Sequence, residues 1–212
     1  MELPVRTNQP RIVVTGFERF GKYLRNSSET VVKALAASPR VGSLVVAAPI
    51  LPVEFNRCYV ALQSVLALVA HDAVVAFGQH PFSKGIQIER LARNRDSIET
   101  ISEDPREHQR AAPRPRTSES RVIIAEALPT IATRLPVGAI TSSLTRGGYP
   151  WTLSEDAGAF VCNNLFFHLV ADPERMGTPC GFVHLPLIDG TAWTEGRLLL
   201  AAEVVIRVVA GA

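Results

Sequence analysis

Short unbroken apolar runs alternate along this chain with longer stretches in which apolar residues recur at helical spacing. The run Ile12-Val13-Val14 ends at Gly16 and predicts a buried strand over 11–15 that feeds a loop. Asn26, with Glu29 at capping-box spacing, predicts a helix start. That helix should run to about Ala37 and stop ahead of Pro39, because the residue before a proline is pushed out of the α region. A second buried strand is expected over 44–48, then a turn at Pro49 and Pro52 and a helix over about 54–70. In that helix Phe55, Tyr59, Leu62, Val65 and Leu66 share a face, which places Cys58 near the core. Further strands are expected over 73–77 and 86–91, the latter alternating enough to suit a sheet edge. After a polar stretch, order is expected to resume over 121–125, with a short helix following Pro129. Residues 157–170 then read as a helix, 180–184 as a strand and 194–209 as a closing helix. Strands separated by helices of this length predict an α/β fold, a three-layer α/β/α sandwich with a mixed, mainly parallel sheet.

The polar stretch, about 94–120, is rich in Arg, Glu, Pro and Ser and carries no apolar periodicity. A segment of this kind in a compact chain is a lid, an interface arm or a disordered insert. The 212 residues otherwise suit one domain over 1–212, with 47% hydrophobic and 20% charged residues, an ordinary packed composition. A net charge of +2, with arginines scattered and not striped, argues against nucleic acid as a partner. No apolar run is long enough to cross a bilayer, and the start of the chain lacks an apolar signal segment. Three cysteines, Cys58, Cys162 and Cys180, cannot all pair with one another and fit no zinc spacing. Free thiols in a reducing cytoplasm, with no metal and no membrane partner, are therefore the expectation.

Cys162 carries the clearest chemical signal. It lies early in a helix, behind Gly158 and the capping candidates Ser154 and Asp156, where it feels the positive end of the macrodipole. His184 follows at a strand end beside Pro186, at the sheet edge where open α/β folds place ligands. A thiol and an imidazole so placed suit acyl transfer through a thiolate. A buried small hydrophobe and a satisfied core histidine are the plain alternatives. His80 could face the same site, whereas His71, His108 and His168 read as surface positions. Glu89, in an otherwise apolar strand, is either an orienting acid for the imidazole or a solvent-facing residue paired with Arg90 or Arg93.

Taken together, several segments resemble the pyroglutamyl peptidase I family of cysteine peptidases, in the same order along most of the chain. Thr15-Gly16-Phe17-Glu18-Arg19-Phe20-Gly21 resembles its T-G-F-x-P-F-G, and Leu51-Pro52-Val53 its L-P-V turn. Gly78-Gln79 with Ile88-Glu89-Arg90 resembles its G-Q…E-R segment. Residues 153–163 resemble V-S-x-x-A-G-x-[FY]-x-C-N, and 181–186 resemble G-F-[IV]-H-[IV]-P. The resemblance implies a phosphorylase/hydrolase-like fold, Cys162 as nucleophile, His184 as base and Glu89 as its orienter. It further implies that Phe17 and Phe20 sandwich a pyrrolidone ring, that Gln79 meets its lactam group and that the Val161 backbone lines the same pocket. No cofactor is implied. The substrate would be a pyroglutamyl peptide or small amide, and the family's frequent dimers and tetramers imply a homo-oligomer.

The departures concern the substrate frame. Arg19 stands where the family has proline, and Lys22 where it has a second glycine. His80-Pro81-Phe82-Ser83 replaces A-G-G-R, and the family's A-R-I-P-D-N-x-G stretch is missing, its arginine falling at Glu99 in gapless register. An anion beside a developing oxyanion would oppose catalysis, unless Arg93, Arg95 or Arg106 takes its place. A hydrolase retuned to another small acyl amide and a non-catalytic binding relative are the other readings of such a chain.

Overall fold

The computed structural model describes residues 9–97 and 120–211. Along the chain lie β1 (Ile12–Phe17), α1 (Ser27–Ala37), β2 (Val45–Ala47), β3 (Ile50–Leu51), α2 (Arg57–Leu68), β4 (Ala73–Gln79), β5 (Ile86–Glu89), β6 (Leu91–Arg93) and β7 (Asp96–Ser97). There follow β8 (Ser120–Arg121), β9 (Thr130–Ala132), α3 (Val137–Arg146), β10 (Trp151–Ser154), α4 (Val161–Ala171), β11 (Cys180–Leu185) and α5 (Glu195–Ala210). The main sheet runs β10-β5-β11-β4-β1-β2, with β3 also paired to β1. Its neighbours are parallel except β5 and β11, which pair antiparallel, so the sheet is mixed and mainly parallel as expected.

Side-chain alternation along the central strands divides the core in two. Ile12, Val14, Val75, Phe77, Val183 and Leu185 face one side and pack against α1, α3 and α5. Val13, Val74, Ala76, Cys180 and Phe182 face the other and pack against α2 and α4. Both faces being covered, β1, β4 and β11 are buried almost end to end, which is why they read as continuous apolar runs.

Several elements differ from the sequence reading. Residues 45–47 are half-buried and sit at the sheet margin, so this strand is not a buried one. Conversely, β5 lies inside the sheet, between β11 and β10, and the edge is taken by β10, whose broken apolar pattern hides it in the sequence. The chain after Pro129 forms a strand, β9, paired antiparallel with β6, and the helix α3 starts only after Pro136. The two ends of the polar stretch also meet, because β7 pairs with β8. The rest of that stretch lies outside the described residues.

Asn26 caps α1 as expected, its Oδ1 accepting from the Ser28 N–H at 2.9 Å and from the Ser28 hydroxyl at 2.8 Å. Glu29 does not complete a capping box and instead accepts from Lys33 one turn on. The Asn26 amide donates to the Glu18 carbonyl at 2.9 Å, so one side chain holds both the helix start and the loop carrying Phe20. Asn26→Ala should therefore cost about 1–2 kcal/mol, the usual loss for a helix cap. The check is the denaturant midpoint, which falls while the m-value stays constant.

Candidate active site

α4 begins at Val161, four residues later than its apolar pattern suggests, because residues 155–160 are spent on a turn. Asp156 Oδ1 accepts from the Gly158 N–H at 3.0 Å, and Ser154 Oγ accepts from the Asp156 N–H at 3.2 Å. Gly158 takes a φ of +84°, a conformation that favours glycine. Ser154 and Asp156 thus shape the approach and do not cap the helix. The N-cap is Phe160, which makes no side-chain capping bond, so among the described residues no side chain caps the first-turn N–H groups of α4. Cys162 stands in that first turn and is half-buried.

Gly78, near the end of β4, makes room for the thiol. A Cβ there would lie 2.7 and 2.8 Å from atoms of the Phe182 ring and 3.1 Å from Cys162 Sγ. The register that pairs His184 with Gly78 then places the imidazole beside the same spot. His184 is 2% exposed and Glu89 is fully buried. His184 Nδ1 lies 2.7 Å from Glu89 Oε1, and since the carboxylate accepts, Nδ1 carries the proton. With Nδ1 committed, Nε2 is the ring nitrogen left to hydrogen-bond with Cys162.

Burial alone would lower the His184 pKa. Hydrogen bonding to Cys162 and Glu89, followed by their negative charge, outweighs it and raises the pKa to about 9. Burial would push the Glu89 carboxyl up. Hydrogen bonds and the charge of His184 hold it below its ordinary value instead, with support from Ser154 and Gln87. The other two cysteines are of a different kind. Burial pushes Cys58 up to about 12 and Cys180 up to about 11, and both are packed in the core.

The aromatic residues separate. Phe17 is buried, its ring centroid 6.4 Å from that of Phe182, which itself lies 4.9 Å from the His184 ring. Phe20 is 37% exposed and packs against Phe160 at 5.2 Å, with Phe55 edge-on to Phe160 at 5.3 Å. Phe160 is the aromatic position of the motif around Cys162, and that was the signal available for it in the sequence. Val161 buries its side chain in the core, leaving its backbone at the helix start. Gln79 Oε1 accepts from the Ser27 N–H at 2.8 Å and from the Ser27 hydroxyl at 3.2 Å. Its Nε2, for which no acceptor is found among the described residues, is the group left to donate.

His80 faces His184 with ring centroids 5.3 Å apart, and burial followed by the His184 charge lowers its pKa. Its Nδ1 is buried with no hydrogen-bond partner among the described residues. Phe82, one position beyond Pro81, is 87% exposed. His71 and His168 are half-buried and not surface residues, His71 bonding the Val69 carbonyl and His168 stacking on Tyr59 at 4.9 Å. His108 lies outside the described residues.

Of the three arginines named above as substitutes at an oxyanion, two are already engaged. Arg93 donates to the Glu155 carbonyl at 3.1 Å, and Arg95 to Asp156 Oδ2 at 2.8 Å. Both brace the turn ahead of Cys162. Asn163 binds the same strap, accepting from the Arg93 N–H at 2.9 Å and donating to the Arg93 and Arg95 carbonyls at 2.8 Å each. The Ser97 N–H then donates to the Ala159 carbonyl at 2.8 Å, so the chain reaches residue 97 alongside the start of α4. Glu99 and Arg106 lie outside the described residues.

A family model described as Pyroglutamyl peptidase matches residues 10–209. The pyrrolidone-carboxylate peptidase of Cupriavidus pinatubonensis is 30% identical over 200 residues, covering 92% of this chain and 88% of that protein. That of Vibrio vulnificus is 32% identical over 201 residues, with 92% and 87% covered. Among solved structures, pyroglutamyl peptidase I of Bacillus amyloliquefaciens superposes with a TM-score of 0.77 at 22% identity, over 96% of this chain and 98% of that one, a likeness of fold. The pyrrolidone carboxyl peptidase of Pyrococcus furiosus gives 0.75 at 26% identity, over 94% and 97%. With its sequence matched nearly end to end and its fold shared, this chain belongs to the pyroglutamyl peptidase family of cysteine peptidases.

Proposed function

We propose that this protein removes an N-terminal pyroglutamyl group from peptides or small amides, with Cys162 as nucleophile, His184 as base and acid, and Glu89 as the orienter of His184. The observation that carries the reading is the buried 2.7 Å contact between Glu89 and His184, beside a thiol at an uncapped helix start. His184, with Nδ1 held by Glu89, takes the Cys162 proton at Nε2, and its raised pKa favours the resulting imidazolium.

The thiolate attacks the acyl carbonyl, and the open N–H groups of the first α4 turn hold the oxyanion. His184 gives its Nε2 proton to the leaving amine, whose bond to the acyl carbon breaks and leaves a thioester on Cys162. Water, deprotonated by His184, then releases the acid and restores the thiol. A pyroglutamyl ring has no charged amine, so an apolar wall of Phe20 and Phe160 suits it. The Gln79 Nε2 is free to donate to the lactam carbonyl, because its oxygen is held by Ser27. His80 stands where the family has a small residue, which favours as a second reading a related hydrolase with another small acyl group.

Hydrolysis of a pyroglutamyl-coumarylamide tests the first reading. Turnover is expected, and Cys162→Ala should reduce it by at least about 10⁴-fold with the fold retained. No turnover, with the thiol still readily alkylated, would instead select the second. The same alkylation should be selective. Iodoacetamide at neutral pH should modify Cys162 alone, as mapped by peptide mass, since Cys58 and Cys180 are buried and held protonated.

The pH profile follows from His184. The leaving amine needs the imidazolium, which persists below the raised pKa and is lost above it, so kcat/KM should fall on an alkaline limb near 9. Glu89→Gln removes a contribution that raises this pKa. The limb should move to lower pH and the rate should drop by roughly 10²-fold, less than on losing the nucleophile. A limb unmoved in that variant would point to a different orienter.

A further inference from the structure

Glu89 offers one carboxylate oxygen to two donors. Oε1 accepts from His184 Nδ1 at 2.7 Å and from Gln87 Nε2 at 2.7 Å, while Oε2 is buried without a hydrogen-bond partner among the described residues. The Ser154 hydroxyl lies near enough to favour the carboxylate charge, but it is engaged with the Asp156 carbonyl at 3.2 Å. Gln87 is therefore the only neutral side chain whose donated hydrogen bond converges with His184 on that oxygen, among the described residues.

The strand geometry dictates the convergence. Residues two apart on a strand share a face, so Gln87 and Glu89 point the same way from β5. The antiparallel register of β5 and β11 sets His184 directly opposite Gln87. Glu89 reaches the imidazole from two residues further along, and the Gln87 amide meets the same oxygen.

We infer that Gln87 is a positioning residue for the Glu89–His184 pair, selecting which carboxylate oxygen meets the imidazole and drawing off part of that oxygen's charge. The inference rests on the reading of His184 as the base. Two donors on Oε1 resist rotation of the carboxylate, since turning Oε2 toward His184 would break the bond to Gln87. A shared oxygen also holds the imidazolium less tightly than an unshared one, so His184 can release its proton to a leaving amine. The titratable groups facing His184 are Cys162 from α4, Glu89 from β5 and His80 from the turn after β4. Those facing Glu89 are His184 and His80, with Gln87 and Ser154 as neutral donors. Replacing Gln87 by Met leaves all of these groups in place.

The experiment is a pair of substitutions in the full chain, Gln87→Met and Gln87→Lys, with His184 titrated by NMR in the free, histidine-labelled protein. Met keeps the length of the side chain without the donor, and Lys replaces a neutral donor by a charged one. In the Met variant the imidazolium is held by an unshared oxygen, so the titration should move to higher pH by about half a unit or more. In the Lys variant a neighbouring cation should move it to lower pH by a similar amount. The Met variant should also lose about three- to tenfold in kcat with KM within about twofold of the parent. Shifts in the same direction, or no shift in either variant, would overturn the inference, as would a loss of rate with an unmoved titration. Opposed shifts in a protein that does not cleave pyroglutamyl amides would uphold the role of Gln87 and remove the proposed substrate.

Discussion

A carboxylate with no access to water is costly unless a partner compensates it, and Glu89 is compensated chiefly by His184. That one pairing constrains the sheet around it. It requires β5 next to β11, and the antiparallel register brings the strand bearing the acid alongside the strand bearing the imidazole. β5 and β10 consequently run against the other strands, and β10 is left to form the edge. The irregularity of an otherwise parallel sheet is thus located at the candidate site.

The thiol arrives from the helix layer and not from the sheet. α4 packs on the face that carries Phe182 and His184, and its first turn ends against Gly78, where the missing side chain leaves space for sulfur. The helix start is held from outside by the strap at residues 93–95, through Asn163 and through the ion pairs of Arg93 and Arg95 with Asp156. These arginines hold the backbone that carries Cys162. Side chains spent on bracing a turn are not free for a ligand, and under the proposed function the N–H groups at the start of α4 are the remaining donors.

Around this centre the site is built from unlike materials. An apolar wall of Phe20, Phe160 and Phe55 stands near the helix start, and a polar wall of Gln79 and His80 continues from β4. Gln79 has one end tied to α1 through Ser27, which converts a flexible amide into a donor of fixed orientation. A donor held in this way offers one hydrogen-bond geometry, whereas the aromatic wall offers shape alone.

Much of the fold was legible because both faces of the central strands are covered, so 12–14, 73–77 and 180–185 appear as apolar runs bounded by turns. The cap at Asn26 and the start of α5 at Thr194 were equally local. Cys162, His184 and Glu89 stood out by residue type and motif order. Local pattern could not reveal that β5 is internal, that β9 pairs with β6, or that α4 starts after a braced turn, since each depends on partners distant in the chain. Gln87 is the clearest case. In the sequence it is a polar residue in an alternating strand, and only the register opposite His184 makes it a donor to the same oxygen. The amino-acid order by itself determined most of the elements and singled out the candidate groups, because propensity, capping and burial act over a few residues. The tertiary structure alone decided which of those groups touch, because strand register and helix placement are settled by packing across the whole core.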